Sequence, residues 1–331
     1  MQLLDCTLRD GGNVLGNGFP ADLTVMMLEG LIKSNITLIE YGNAYGVGAY
    51  EADGKTAPLT DIEYMDLAAP YLNKAEIGMF IGVKNTTEEN IALAAGKGMK
   101  FLRIGANAGD GDSAKAGIER IKKHGMTARY SLMKGYVLSA DALAEEAKKL
   151  ESWGLDAITI MDSAGTMLPT EVTEYTEQMV SAVKIPVGFH GHNNLGLSVA
   201  NAIAADKAGA ASLDCGLLGM ARSAGNLATE MAIAVMKRLG KADEFDFYSL
   251  LKFIDNELAS AMLTHGYKAP VIPFDLILGY AGCHSNFSKL FEDAAKEYGV
   301  DLYKLIVEVS AIDQKSPSVE LIAEKAMALK A

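Results

Sequence analysis

The stretch AITIMDSAGTMLPTEVTEYTEQMVSAVKIPVGFHGH, residues 157–192, decides the fold. It opens on a continuous apolar run, passes through a segment with apolar residues at helical spacing, and closes on a second apolar run. Apolar runs without polar alternation are typical of parallel strands that are buried on both faces. The stretch therefore predicts a strand, a crossover helix and a second, parallel strand.

The same unit recurs along most of the chain. Eight strand-like runs, each followed by a helical pattern, lie at 2–6, 37–42, 76–82, 101–106, 127–133, 157–163, 185–192 and 211–219. Eight such units predict an α/β protein with a (β/α)8 TIM barrel over residues 1–240. The alternative is a doubly wound sheet, but that fold usually has fewer units and an early glycine-rich fingerprint, and neither feature fits this chain. Residues 241–331 carry helical patterns only and predict a C-terminal helical domain.

Composition and charge narrow the class of function. The formal net charge is −12, and an acidic chain without a cluster of lysines and arginines disfavours nucleic acid and anionic membranes as partners.

No apolar run reaches the roughly 20 residues that span a bilayer. The N-terminus enters a strand without a secretory leader, so we expect a cytoplasmic protein that acts on a small molecule. Cys6, Cys215 and Cys283 are scattered and odd in number, which predicts reduced thiols.

Two histidines in FHGHNN (189–194) predict half of a metal site. Alternate residues of a strand point to the same face, so His190 and His192 would point together at the mouth of the barrel. TIM barrels carry their active sites at this end, and Asp10 follows the first strand nearby. Mixed imidazole and carboxylate ligation suits Mn²⁺, Mg²⁺, Co²⁺, Zn²⁺ or Fe²⁺. The alternative is that the histidines are hydrogen-bonded core residues and that Asp10 caps a helix.

An arginine and a glycine-rich loop are further candidates at this end. Arg9 would clamp a carboxylate or stabilise an enolate oxygen through its permanent charge. The alternative is a structural ion pair with Glu40 or Asp162. The loop GLLGMARSAGN (216–226) precedes a helix, a position that suits an anion. Its Asn226 would either cap that helix or add an oxygen to the metal site.

Taken together, TLRDGG (7–12), GFHGHNNLGLSVANAIAA (188–205) and GLLGMARSAGN (216–226) resemble the DRE-TIM superfamily of metal-dependent lyases. That superfamily includes hydroxymethylglutaryl-CoA lyase, isopropylmalate and homocitrate synthases, and the 4-hydroxy-2-oxovalerate aldolases. The aldolase family is the most similar of these. The similarity continues through LGYAGCHSNF (278–287) and AAKEYGVDLYKLIVEV (294–309), so that it covers both the barrel and the tail.

The resemblance implies a divalent metal, commonly Mn²⁺, held by Asp10, His190 and His192, with Asn226 contributing in some members. It also implies that Arg9 stabilises the enolate of pyruvate. The implied reaction is the retro-aldol cleavage of a 4-hydroxy-2-oxo acid into pyruvate and an aldehyde. The residue types suit that chemistry, because a metal polarises the carbonyl group and an arginine stabilises the enolate charge.

Two positions depart from the aldolase pattern. The family carries a histidine, proposed as the base for the C4 hydroxyl proton, three residues after the metal-binding aspartate, and here that residue is Asn13. The family carries a tyrosine in GYAGxYSS where this chain has His284. Histidine is the side chain best suited to proton transfer near neutral pH, so we hypothesise that His284 is the acid/base. The alternative is that His284 only packs in the tail.

Other candidates for substrate contact lie at the strand ends and in the loops after them. They are Arg9, Glu40, Tyr45, Ser163 and Arg222. The loop at 41–61 also holds Tyr41 and Tyr50, and we expect at least one of its three tyrosines to contact the substrate. Arg222 and Ser223 stand where the CoA-dependent synthases carry a Glu-Arg pair, which weakens a CoA-thioester interpretation. Arg222 would either meet a second carboxylate of the substrate or be a solvated or ion-paired arginine.

The leading hypothesis is therefore a divalent-metal-dependent class II pyruvate aldolase. One alternative is a Claisen-type synthase that joins an acyl-CoA to a 2-oxo acid. The other is a degenerate aldolase retained as a partner subunit, an option that Asn13 leaves open. The resemblance further implies that the tail is a communication or dimerisation domain. Its implied partner is an acylating aldehyde dehydrogenase, and we also expect a homo-oligomer.

Overall fold

The predicted barrel is present in the computed structural model, which describes residues 1–267 and 273–330. Eight parallel strands pair in chain order, and the eighth closes on the first. They are β1 Gln2–Asp5, β2 Leu38–Tyr41, β3 Glu76–Gly82, β4 Phe101–Asn107, β5 Thr127–Met133, β6 Ala157–Asp162, β7 Val187–Gly191 and β8 Ser212–Cys215. The fold class predicted from the repeated unit is confirmed.

Helices surround the barrel and continue beyond it. Those of the barrel are α1 Ala21–Lys33, α2 Ala49–Ala52, α3 Asp61–Ala68, α4 Glu88–Gly96, α5 Lys115–Lys123, α6 Ala140–Ser152, α7 Pro169–Ala182, α8 Ser198–Lys207 and α9 Thr229–Arg238. Those of the tail are α10 Phe247–Phe253, α11 Ala259–Thr264, α12 Pro273–Ala281, α13 Ser288–Tyr298, α14 Leu302–Ser310 and α15 Val319–Lys330. A π-helical turn, Ile254–Leu258, joins α10 to α11.

Short polar side chains determine where several helices begin. At α3, Thr60 Oγ1 accepts the backbone N–H of Glu63 at 3.3 Å, while the Glu63 carboxylate accepts the backbone N–H of Thr60 at 2.8 Å. This capping box satisfies two backbone donors that the helix leaves unpaired. Thr87, Ser139 and Asp301 accept N–H groups in the same way at α4, α6 and α14. These starts are therefore decided locally by the sequence.

Two large apolar clusters divide the described chain, and a small third cluster contains Leu4, Cys6, Leu38 and Phe101. The larger fills the barrel and its helices and reaches Met262 in α11. The smaller lies among α12 to α15 and includes Phe291 and Val309. Helices α10 and α11 thus pack with the barrel although they follow residue 240. The division into a barrel domain (1–240) and a helical domain (241–331) stays a prediction.

Two expectations drawn from composition can be compared with the described residues. Cys6, Cys215 and Cys283 are all buried and free, as expected. Within the described ranges, every helix is too short or too polar to cross a bilayer.

The barrel is packed tightly enough that adding a methyl group at Gly78 should destabilise it. A Cβ atom on Gly78 in β3 would lie 2.3 Å from the ring of Phe101 in β4. Gly78→Ala is therefore expected to lower the free energy of unfolding by about 1–3 kcal/mol, measured by urea denaturation. Gly96→Ala is the control, because a Cβ atom at the end of α4 meets nothing within 4 Å. Equal stability of the two variants would contradict this packing.

Candidate metal centre and active site

A cavity of ≈ 360 Å³ opens at the carboxyl end of the barrel strands. Most of the candidates named from the sequence line it. They are Arg9, Asp10, Tyr45, Ser163, His190, His192, Arg222 and His284. The other two lie directly behind its wall, since Glu40 pairs with Arg9 and Asn226 donates a 2.8 Å hydrogen bond to Asp10. The volume is within the range of small-molecule sites.

A tight turn after β1 places Arg9 and Asp10 at the barrel mouth. The carbonyl of Cys6 accepts the backbone N–H groups of Arg9 at 3.1 Å and of Asp10 at 2.8 Å. A 3-10 helix, Asp10–Leu15, begins immediately afterwards. β1 ends at Asp5, so Asp10 follows the first strand, as expected. Asp10 still reaches the mouth because the turn folds the chain back over the strand end.

The two histidines and Asp10 converge on one point. His190 lies in β7, whereas His192 follows that strand and forms an antiparallel bridge with Asn226. The Nε2 atoms of His190 and His192 lie 3.7 and 3.9 Å from Oδ2 of Asp10. These distances are too long for hydrogen bonds. The three residues offer ligand atoms that all lie within 4.8 Å of one another.

Buried ion pairs support this cluster from below. Arg103 of β4 donates hydrogen bonds to Glu40 of β2 and to Asp214 of β8, and Arg9 also donates to Glu40. Asp214 in turn accepts a 3.1 Å hydrogen bond from Nδ1 of His190. That bond assigns the proton to Nδ1 and leaves Nε2 with a lone pair toward the cavity.

The charge of the site suits a divalent cation. Burial alone would raise the pKa of Asp10, but Arg9, His192 and His190 outweigh it and hold that pKa well below its ordinary value. Burial lowers the pKa of His192 to about 4, so this imidazole is neutral at pH 7 and has a lone pair to offer. Oδ1 of Asn226 is buried and has no hydrogen-bond partner among the described residues. The donor set therefore fits a metal.

Arg9 combines the two interpretations that the sequence left open. Its Nε donates to Glu40, and its Nη1 donates to Oδ1 of Asp10 at 3.0 Å. Its Nη2 is buried and lacks a partner in the described part of the chain. Arg9 thus forms a structural ion pair and retains a donor in the cavity wall. Among the described residues its ion pairs are with Asp10 and Glu40 and not with Asp162, whose carboxylate accepts the backbone N–H groups of Thr166 and Met167, each at 3.0 Å.

The two departures from the aldolase pattern differ in their surroundings. The Nδ2 atom of Asn13 donates to the carbonyl of Asp10 at 2.8 Å and to its Oδ1 at 3.2 Å, so Asn13 supports a candidate ligand. His284 lines the cavity, and its Nδ1 accepts the backbone N–H of Asn286 at 3.1 Å. Burial holds the pKa of His284 well below its ordinary value, so the ring is neutral at pH 7.

The loop after β2 contributes Tyr45 to the cavity wall. Tyr41 is instead buried in β2 and packs edge-on against Tyr64, with the ring centroids 5.7 Å apart. Tyr50 lies in the short helix α2. Ser163 follows β6, and its hydroxyl accepts the backbone N–H of Lys134 at 3.0 Å.

Several residues of the site were missed from the sequence. Arg103 and Asp214 received no role from the sequence. Lys55 in the loop after β2 and Asn286 in the tail also line the cavity. The loop after β2 was expected to contact the substrate through a tyrosine, and Lys55 lies in that same loop. Nothing in the sequence indicated that Asn286 belongs to the site, because only the folded chain brings this residue of the tail beside the barrel.

Comparisons with known proteins agree with this architecture. The HMGL-like family matches residues 107–256, and the DmpG-like communication domain matches residues 272–316. A 4-hydroxy-2-oxovalerate aldolase of Geobacillus thermodenitrificans is 32% identical over 93% of this chain and 89% of its own length. One of Carboxydothermus hydrogenoformans is 31% identical over 99% of this chain and 97% of its own length.

Among solved structures, the carboxyl transferase domain of Rhizobium etli pyruvate carboxylase shares the fold. Its TM-score is 0.80 at 13% sequence identity, and the match covers 100% of this chain and 60% of that one. At this identity the likeness concerns the fold alone.

The buried ion pairs predict a large effect of removing one charge. Glu40→Gln leaves the buried guanidinium groups of Arg9 and Arg103 short of one counter-charge. We expect a loss of about 3–5 kcal/mol in the free energy of unfolding, measured by urea denaturation. Glu88→Gln is the control, since Glu88 forms exposed pairs with Lys123 and His124, and it should leave the urea midpoint unchanged. Similar midpoints for the two variants would refute the role given to the buried network.

Proposed function

The chain belongs to the 4-hydroxy-2-oxovalerate aldolase family and is a carbon–carbon lyase, and from this premise we propose that it is a divalent-metal-dependent class II pyruvate aldolase. It would cleave, or form, a 4-hydroxy-2-oxo acid, with pyruvate as one product. The observation that carries the proposal is the convergence of Asp10, His190 and His192 on one point. Arg9 lines the same cavity, and its Nη2 has no hydrogen-bond partner among the described residues.

Asp10, His190 and His192 would hold the metal, with Oδ1 of Asn226 as a further oxygen ligand, and Mn²⁺ is the ion we favour. A bound divalent metal polarises the 2-oxo group and stabilises negative charge on its oxygen. Arg9 supplies a second, permanent positive charge to the same oxygen through Nη2. Its bonds to Glu40 and Asp10 hold the guanidinium in place before the substrate binds.

The retro-aldol cleavage breaks the C3–C4 bond of the substrate and needs two proton transfers. The C4 hydroxyl gives its proton to a base, the C3–C4 bond breaks, the aldehyde departs, and the electron pair of that bond forms the enolate of pyruvate. A proton then adds to C3. An arginine suits this sequence because its charge does not change while the enolate forms.

We assign the proton transfer at the C4 hydroxyl to His284. Asn13 cannot accept that proton, because its amide is not basic and its Nδ2 is already bonded to Asp10. His284 lines the same cavity as a neutral imidazole. His284 can take the proton at Nε2 only in the tautomer that carries its hydrogen on Nδ1. In that tautomer Nδ1 no longer accepts the 3.1 Å hydrogen bond from the backbone N–H of Asn286.

We also propose that the tail contacts a partner enzyme. The match to a communication domain at 272–316 and the separate apolar cluster of α12 to α15 support a distinct unit in the tail. Its exposed apolar side chains Ile312, Val319 and Met327 supply material for an interface. An acylating aldehyde dehydrogenase, which would take up the aldehyde product, is the partner that the family resemblance implies.

Removal of a candidate ligand should abolish both metal binding and enolate formation. Asp10→Asn and His192→Ala are expected to weaken Mn²⁺ binding by at least about 100-fold, measured by electron paramagnetic resonance titration. The native protein should exchange the methyl protons of pyruvate with deuterium oxide, as followed by NMR. This exchange should stop when a chelator removes the metal and resume when Mn²⁺ is added. His124→Ala is the control, because His124 is paired with Glu88 away from the cavity. Unchanged Mn²⁺ affinity in both ligand variants would overturn the proposed site.

Replacement of His284 should slow cleavage without preventing enolate formation. His284→Ala is expected to lower kcat for pyruvate release by about 10²–10⁴-fold, measured with a coupled dehydrogenase. The exchange of the pyruvate methyl protons should persist in this variant, because it needs no proton transfer at C4. Its persistence would also show that the variant is folded. The exposed His265 at the end of α11 provides the control variant His265→Ala. Full turnover by His284→Ala would exclude His284 as the acid/base.

A further inference from the structure

Two cations in the cavity wall face one aromatic ring. Nζ of Lys55 and Cζ of Arg222 each lie 4.7 Å from the centroid of the Tyr45 ring. All three residues line the same cavity as the candidate metal ligands. Within residues 1–267 and 273–330, neither cation takes part in a salt bridge.

The carboxylate of Asp53 also lines this cavity, but it is bonded elsewhere. Its Oδ1 accepts a 2.7 Å hydrogen bond from Nζ of Lys84, and its Oδ2 accepts a 3.3 Å bond from Nδ2 of Asn85. The hydrogen bond from Lys84 is the largest influence that holds the pKa of Asp53 below its ordinary value, and Lys55 adds a weaker charge effect. Asp53 is therefore paired with Lys84, and Lys55 and Arg222 are left without a salt-bridge partner among the described residues.

Holding these two cations together costs free energy unless an anion joins them. Each lies 4.7 Å from one ring centroid, so they are separated by no more than twice that distance and repel each other. The negative face of the ring offsets only part of this repulsion. The Nε donor of Arg222 is also buried without an acceptor among the described residues. An oxyanion would satisfy this donor and neutralise the repulsion.

Arg222 is held in a fixed position for such a ligand. Its Nη1 donates to Oδ1 of Asn286 in the tail, and the residue lines the same cavity as Asp10. The guanidinium is therefore fixed between the loop after β8 and the tail. The chain has 42 acidic and 30 basic side chains, yet neither cation has a salt-bridge partner among the described residues.

We propose that Lys55 and Arg222, which both lie against the ring of Tyr45, form an oxyanion subsite for the aldehyde half of the substrate. The inference rests on the proposed function, which places the pyruvate half at Arg9 and the metal ligands. The substrate class is then a 4-hydroxy-2-oxo acid whose C4 substituent ends in a carboxylate or a phosphate. A neutral alkyl substituent would leave both cations unpaired in the complex.

The test uses the full-length protein with Mn²⁺ in the direction of carbon–carbon bond formation. Pyruvate is supplied with two matched pairs of aldehydes. Butanal is compared with succinic semialdehyde, which carries a terminal carboxylate, and glyceraldehyde is compared with glyceraldehyde 3-phosphate. We expect kcat/KM for at least one anionic aldehyde to exceed that of its neutral partner by about 10- to 100-fold or more, as a charged hydrogen bond allows. The two pairs distinguish a carboxylate from a phosphate.

Variants of the two cations connect this preference to the subsite. In Lys55→Met and Arg222→Met, the ratio of kcat/KM for the anionic and neutral aldehydes should fall by about 10-fold or more, and Arg222→Lys should restore part of it. Lys74→Met is the matched control, since Lys74 also lies over a tyrosine ring, 5.7 Å from that of Tyr71, but outside this cavity. It should leave the ratio unchanged.

The outcomes separate this inference from the proposed function. Exchange of the pyruvate methyl protons by the native protein tests the proposed function without any aldehyde, and its absence would remove both proposals. If exchange occurs but neutral aldehydes are preferred, the subsite is refuted while the aldolase stands. Equal losses with charged and neutral aldehydes in Arg222→Met would also refute it, because Arg222 would then act on the pyruvate half.

Discussion

The buried guanidinium of Arg103 is the group on which the site depends. It lies inside the barrel at 0% exposure and bonds carboxylates from two other strands, Glu40 of β2 and Asp214 of β8. Removing charges from water costs several kcal/mol per ion, so each member of this cluster requires the others. The cluster thereby ties strands from different parts of the chain to one geometry. Its two ends reach the candidate site, because Glu40 also bonds Arg9 and Asp214 also bonds His190.

The cavity joins two regions that differ in construction. Its floor consists of groups on strands or on the tight turn after β1, where the positions are fixed by buried hydrogen bonds. Its outer wall comes from the loops after β2 and β8 and from the tail, where Tyr45, Arg222 and Asn286 meet. The end that holds the candidate metal ligands is thus supported rigidly, while the end that would take the aldehyde is built from loops. Such a division suits an enzyme fold whose specificity varies by loops.

Much of the fold and part of the site could be predicted from the sequence. The continuous apolar runs identify the strands because burial on both faces leaves no polar alternation. His190 and His192 could be recognised because their spacing is local, and Asp10 because a barrel closes its first strand on its last. The position of Asn286 and the role of Asp214 could not be predicted. Asp214 bonds His190 and Arg103, which lie 24 and 111 positions away, and Asn286 bonds Arg222, which lies 64 positions away.

The sequence by itself determined the eight-fold repeat, the family resemblance and the two unusual residues Asn13 and His284. These are properties of local pattern and residue type. Only the tertiary structure decided that Asn13 is bonded to Asp10 and that His284 lines the cavity. It alone also showed that Lys55 and Arg222 face one ring without a carboxylate partner among the described residues. The physical reason is that charge compensation depends on distances across the folded chain, and a linear pattern carries no information on which opposite charges meet.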